Sequence, residues 1–105
     1  MKVRSFKLKS GQDIVGIDTA EADSTNVVLT RVYQLTLMPT PHGLGMGIVP
    51  FMLFQEINPL QEMALTPSDY YYEQTLPNNV IEQYQAQITP IALPTSTQNF
   101  GSRKQ

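Results

Sequence analysis

An alternation of polar and apolar residues that stops at a glycine and then resumes constrains this chain more than any other feature. Residues 2–9, KVRSFKLK, place Phe6 and Leu8 on one face with basic residues between them, the period of two that marks a half-buried strand. Ser10 and Gly11 interrupt the pattern, and DIVGI at residues 13–17 restarts it. So short a connection between two such runs predicts an antiparallel hairpin.

The reading continues along the chain. Residues 18–25, DTAEADST, are small and polar and predict a loop. NVVLTRVYQLTLM, residues 26–38, is rich in β-branched and aromatic side chains and predicts one long, bent strand. PTPHGLGMG at residues 39–47 packs two prolines and three glycines together and predicts a hairpin loop. IVPFMLFQEI at residues 48–57 then predicts a fourth strand, with Pro50 at a bulge or an edge. NPLQ is a turn, and EMALT at residues 62–66 a short fifth strand. TPSDYYYEQTLP reads as irregular. A helix is predicted over residues 79–88: Asn79 and Glu82 fit a capping box, Ile81, Tyr84 and Ile88 share a face, and Pro90 stops it. Residues 91–105 predict a flexible tail. The expected fold is therefore mainly β, one domain over residues 1–90 in which a small, strongly bent, five-stranded antiparallel barrel over residues 2–66 carries a short C-terminal helix.

Composition narrows the function classes. At 105 residues the chain has room for one small domain, which leaves much of its surface exposed unless copies associate. Charged residues make up only 15%, against 41% apolar, a balance that suits a surface covered by a partner. The net charge of -2 argues against a broad cationic surface for duplex nucleic acid. Lys2, Arg4, Lys7 and Lys9 nevertheless make the first strand locally basic. The absence of cysteine excludes disulfides, thiolate metal sites and cysteine nucleophiles. With no apolar stretch of signal-peptide or membrane-spanning length, the expectation is a cytoplasmic protein.

Leu8, Gly11, Ile14, Gly16, Asn26, Val27 and Leu29 stand at the spacing of the first signature of the Sm-like proteins, the LSm and Hfq family, and the segment from Leu8 to Leu29 resembles it. The chain looks closest in character to the Sm-like proteins of bacteriophages, including those of marine cyanophages. The resemblance implies a barrel whose copies close into a homo-oligomeric ring, pairing the fourth and fifth strands of neighbours, here IVPFMLF and EMALT. It also implies RNA metabolism through binding of single-stranded RNA at loops near the pore. On that reading Ser24, Thr25 and Asn26 contact bases, Asn58 and Gln61 stand in the second loop, and the N-terminal Lys and Arg residues attract phosphates.

The sequence also departs from the family. Ala22 and Ser24 occupy positions where the family commonly places an aspartate and a base-stacking residue, with Asp23 displaced by one. QEINPLQEM contains no counterpart of the family's second-signature arginine, and strand character starts where a capping helix is usual. The alternative is an oligomeric protein-assembly or scaffold module of phage origin that does not bind RNA.

Other signals are weaker. Asp18, Glu21 and Asp23 miss the calcium-loop spacing, and GLGMG lies between strands rather than ahead of a helix, so neither a metal nor a phosphate site is expected. His42 is the sole histidine and lies in a Pro/Gly loop. Tyr70, Tyr71 and Tyr72 could stack on bases, although burial against the helix or a subunit is the commoner use of such residues. No nucleophile, base and orienting partner can be assembled, so neither an enzyme nor a cofactor is expected.

Overall fold

The structure, a computed structural model, describes residues 2–20, 25–55 and 57–89. Among these residues the chain forms six strands and one helix: β1 (Val3–Leu8), β2 (Asp13–Asp18), β3 (Val27–Thr40), β4 (Gly43–Pro50), β5 (Glu62–Leu65), β6 (Tyr70–Gln74) and α1 (Asn78–Ile88). The sheet is antiparallel in the order β4-β3-β2-β1-β6, and β5 pairs with β3 off that path. The predicted tail at residues 91–105 lies outside the described residues.

The first hairpin forms as its alternation requires. Phe6 faces Ile14 and Lys7 faces Asp13, and the turn closes through the Gly11 N–H donating to the Leu8 carbonyl at 2.9 Å. Bending is concentrated in β3. Val15 pairs with Tyr33 but Ile17 pairs with Thr30, so β3 carries one extra residue opposite Gly16, and Arg31 in that bulge has φ 53°. Gly16 makes the close approach possible, because a Cβ there would lie 3.1 Å from Leu29 Cβ and 3.2 Å from the Thr30 carbonyl oxygen. The bulge also shifts the alternation. Leu29 and Val32 face one side of the sheet, whereas Tyr33 and Leu35 face the other.

Two apolar cores result. Phe6, Leu8, Ile14, Val27, Leu29, Val32 and Leu65 fill the inside of the curl, closed by Phe51, Met52, Met63 and Tyr70. Val15, Tyr33 and Leu35 face outward and are covered by Tyr84 and Ile88 of α1. The helix is pinned to the bulge: the Tyr84 hydroxyl donates to the Arg31 carbonyl at 2.7 Å, and the Arg31 guanidinium donates to the Ile88 carbonyl at 3.0 Å.

Several sequence expectations are corrected. The sheet has six strands rather than five and is not closed into a barrel. β5 and β6 run in the same direction, one paired with β3 and the other with β1, and the chain crosses between them through the turn at residues 66–69. Residues 66–69 turn and belong to neither strand, so the β3–β5 and β1–β6 ladders end on either side of them.

The Gly/Pro-rich stretch is not a long loop. Only Pro41 and His42 turn, and Gly43, Gly45 and Gly47 alternate along β4 opposite Thr40, Met38 and Thr36. A Cβ on Gly47 would lie 2.7 Å from Thr36 Oγ1 and one on Gly45 2.9 Å from Thr40 Cγ2, so cross-strand side chains occupy the space these two glycines leave. The fourth strand accordingly ends at Pro50, at a sheet edge, and residues 51–55 and 57–61 turn instead of continuing it. The segment read as irregular contains β6.

Helix α1 begins at Asn78 behind Pro77 with no side-chain cap, so the Asn79–Glu82 capping box does not form. Its buried face is Val80, Tyr84 and Ile88, with Ile81 at the margin. No helix among the described residues is long and apolar enough to cross a membrane.

Candidate nucleic-acid interface

Thr25 and Asn26 lie immediately before β3, and both are exposed. Ser24 lies outside the described residues. The ladder from Val27–Leu65 to Thr30–Glu62 fixes what stands beside them, because Thr66 is the next position beyond Leu65. Thr66 begins a tight polar turn: its N–H donates to Asp69 Oδ2 at 2.8 Å, its hydroxyl lies 2.7 Å from that of Ser68, and the Asp69 carbonyl accepts the Lys9 N–H at 3.1 Å. Hydrogen bonds from the Thr66 backbone and hydroxyl hold the Asp69 carboxyl below its ordinary range. This end of the sheet therefore offers amide, hydroxyl and carboxylate groups, which suit base edges better than phosphates.

Asn58 and Gln61 are elsewhere. Gln61 precedes Glu62, at the far end of the same ladder, so it is about five residue steps, on the order of 17 Å, from Asn26. Within one copy the structure does not bring the two sets together. Asn58 is occupied locally, its Oδ1 accepting the Leu60 N–H at 3.2 Å and its carbonyl the Gln61 N–H at 3.0 Å. Gln61 is half-buried, and its Oε1 is enclosed with no hydrogen-bond partner among the described residues.

The basic residues of β1 are largely committed to carboxylates. Arg4 donates to both oxygens of Glu73, at 2.9 and 2.8 Å, and to Asp18 at 2.8 Å, while its guanidinium lies 5.2 Å from the centre of the Phe6 ring. Lys7 pairs with Asp13 at 3.3 Å. Lys2 is 3.7 Å from Asp18 with its side chain 66% exposed, and Lys9 is also exposed. Carboxylates from β2 and β6 thus converge on Lys2, Arg4 and Lys7, a juxtaposition that the pattern of one strand does not report.

Tyrosines at 70–72 have separate fates. Tyr70 packs on Phe6 with ring centroids 4.7 Å apart, whereas Tyr71 and Tyr72 project from the terminal strand β6 and are exposed. His42 is exposed at the tip of the β3–β4 hairpin. Among the described residues no group of three His, Cys, Asp or Glu side chains could hold a metal ion. No protein-family model matches this chain, and no curated protein matches it.

Proposed function

We propose that this chain is a self-assembling module of the Sm-like kind, which forms a homo-oligomeric ring and binds single-stranded RNA in RNA metabolism. The observation that carries the reading is the pair of terminal strands, β4 and β6, each hydrogen-bonded within the sheet on one side only. Such edges template pairing with another chain, and closure of a ring gives each of them a partner. Exposed Leu44 and Val49 on β4, and Tyr71 and Tyr72 on β6, are apolar surface for the same contact. β5 is likewise hydrogen-bonded on one side only, to β3, so the edge that meets a neighbour's β4 is β5 or β6.

RNA binding is assigned to Thr25 and Asn26 with the adjoining Thr66 turn, through hydrogen bonds to base edges. Lys2 and Lys9 supply the attraction to phosphate. With Lys2, Arg4 and Lys7 all beside carboxylates, affinity is weak and falls with salt. A second reading keeps the ring and omits RNA, making the protein an assembly or scaffold module of phage origin. The engagement of Arg4 and Lys7 with carboxylates favours it.

Native mass spectrometry tests both, on the protein alone and with short A-rich and U-rich single-stranded RNAs at low and physiological salt. Discrete oligomers that take up RNA, and lose it in Asn26→Ala, support the first reading. Oligomers indifferent to RNA support the second, and a monomer removes both.

A further inference from the structure

Helix α1 leaves a gap in its cover of the outer face of the sheet. Where β6 ends and the chain turns into the helix, a half-open cavity of about 170 Å³ remains. Val3, Leu76 and Ile81 are its apolar walls, and Ser5, Glu73 and Gln74 contribute polar ones. The residues themselves explain the gap. Ser5 puts a small, buried side chain on the same face of β1 as Val3, and Gln74, directly opposite Ser5, sends its Nε2 to Asp13 Oδ1 at 3.1 Å. Neither side chain fills the space beside Ile81.

The chemistry of the walls narrows what can enter. The Ser5 hydroxyl donates to the Ile14 carbonyl at 2.7 Å, so it presents lone pairs, not a proton, to a ligand. With Nε2 spent on Asp13, Gln74 offers Oε1 as a second acceptor. Both oxygens of Glu73 are engaged by Arg4, and a carboxylate in the wall makes a poor seat for phosphate. Apolar walls with acceptors among them suit a planar ring that has apolar faces and N–H donors on its edge. Size then selects the ring. A cavity of about 150 Å³ holds benzene, so one six-membered ring fills this one and the fused rings of a purine overfill it. We propose that the cavity is a binding site for one pyrimidine base, uracil or cytosine, whose N–H edge meets Ser5 and Gln74 between Val3, Leu76 and Ile81. The base arrives as a free nucleoside or within a single strand, and the second case rests on the RNA-binding reading above. The site is separate from Thr25 and Asn26, which line no part of the cavity.

The test titrates the full-length protein with uridine, cytidine, adenosine and short U-rich and A-rich single-stranded RNAs, and reads backbone amide shifts by NMR. Uridine and cytidine should shift the amides of Ser5, Gln74 and Leu76, and adenosine should leave them in place. The U-rich RNA should shift the same amides at a concentration at least about tenfold lower, because its other contacts raise the effective concentration of the base. Two variants are compared with the parent. Ile81→Phe fills the cavity from the half-buried margin of α1 and should abolish the uridine shifts. Gln74→Leu keeps the walls apolar, removes one acceptor and should weaken uridine about fivefold, the loss expected for one hydrogen bond.

RNA that shifts Thr25 and Asn26 but no amide around the cavity overturns this inference and leaves the RNA-binding reading standing. Uridine that shifts the cavity amides in a protein that takes up no RNA does the reverse: the RNA reading fails, and the site belongs to a free nucleoside. Equal shifts from adenosine and uridine overturn the assignment to a pyrimidine, and no shift from any of the five overturns both readings. Should Ile81→Phe fail to fold, Gln74→Leu decides, and parental uridine affinity in that variant overturns the proposal.

Discussion

Arg31 occupies a backbone conformation that few non-glycine residues adopt, and its surroundings explain why β3 tolerates it. Such a position costs on the order of 1–3 kcal/mol and persists only where neighbours over-determine it. Here Tyr84 binds the carbonyl of Arg31, and Arg31 in turn binds the helix end. Gly16 is the complementary residue across the bulge. Gly16→Ala places a methyl against the Leu29 Cβ and the Thr30 carbonyl, neither of which can rotate away. Overpacking costs about 1–3 kcal/mol, against up to about 1 kcal/mol gained by stiffening the unfolded chain. The expected net loss is about 1 kcal/mol, read from the urea midpoint. The acid response belongs to this scale as well. Burial opposes the charge on Asp18, but the hydrogen bonds from Arg4 and the Ala20 N–H outweigh it; at Glu73 the Arg4 hydrogen bond is the largest influence. Both carboxyls are held below their ordinary values of 3.8 and 4.5, so their contribution is present above those values and is lost as pH falls through the lower folded-state values. Melting temperatures measured from neutral pH to pH about 3 should fall more steeply in the parent than in Asp18→Asn.

At the scale of elements, the helix and the bulge form one unit. Tyr84 is fully buried against Tyr33, their ring centroids 5.9 Å apart, and it also carries the hydrogen bond to the bulge. Tyr84→Ala should therefore cost about 3–5 kcal/mol. Amide exchange should show α1 opening more readily while the β1–β2 hairpin keeps its protection. That hairpin and the long third strand were legible from residue pattern, because alternation and a Ser-Gly turn are local signals. The β3–β4 hairpin was not: glycines at 43, 45 and 47 carry turn chemistry in sequence, and only the register opposite Thr40, Met38 and Thr36 makes them a strand. Three consecutive tyrosines likewise show no alternation. Tyr70 turns inward at a shift in the β1–β6 register, and Tyr71 and Tyr72 follow it outside. Asn26 was singled out by its spacing to Gly16, but its separation from Gln61 follows from the β3–β5 register, which no local pattern reports.

For the whole molecule the decisive feature is apolar surface that this fold leaves uncovered. Leu37 and Leu44 lie beyond the reach of α1 on the same face as Leu35 and Ile48, and Leu53 and Ile57, 83% and 80% exposed, project from the segment after β4. Patches of this kind on a small domain mark contact surfaces. If β4 is the assembling edge, Leu44→Lys combined with Val49→Lys places two charges in the contact, and sedimentation velocity should show the oligomer dissociating. The monomer's melting midpoint should barely move, because exposed substitutions change stability by no more than about 0.5 kcal/mol. Unchanged sedimentation would show that assembly does not use β4. The sequence by itself determined the β class, the first hairpin, the long bent strand and a C-terminal helix, because alternation, turn residues and helical period act over a few neighbouring positions. Tertiary structure alone decided that the sheet stays open, that β6 is its terminal strand, that Arg4 is shared by Asp18 and Glu73, and that Asn26 and Gln61 stand apart. Each of these depends on register between segments distant in the chain, where a shift of one residue changes every partner.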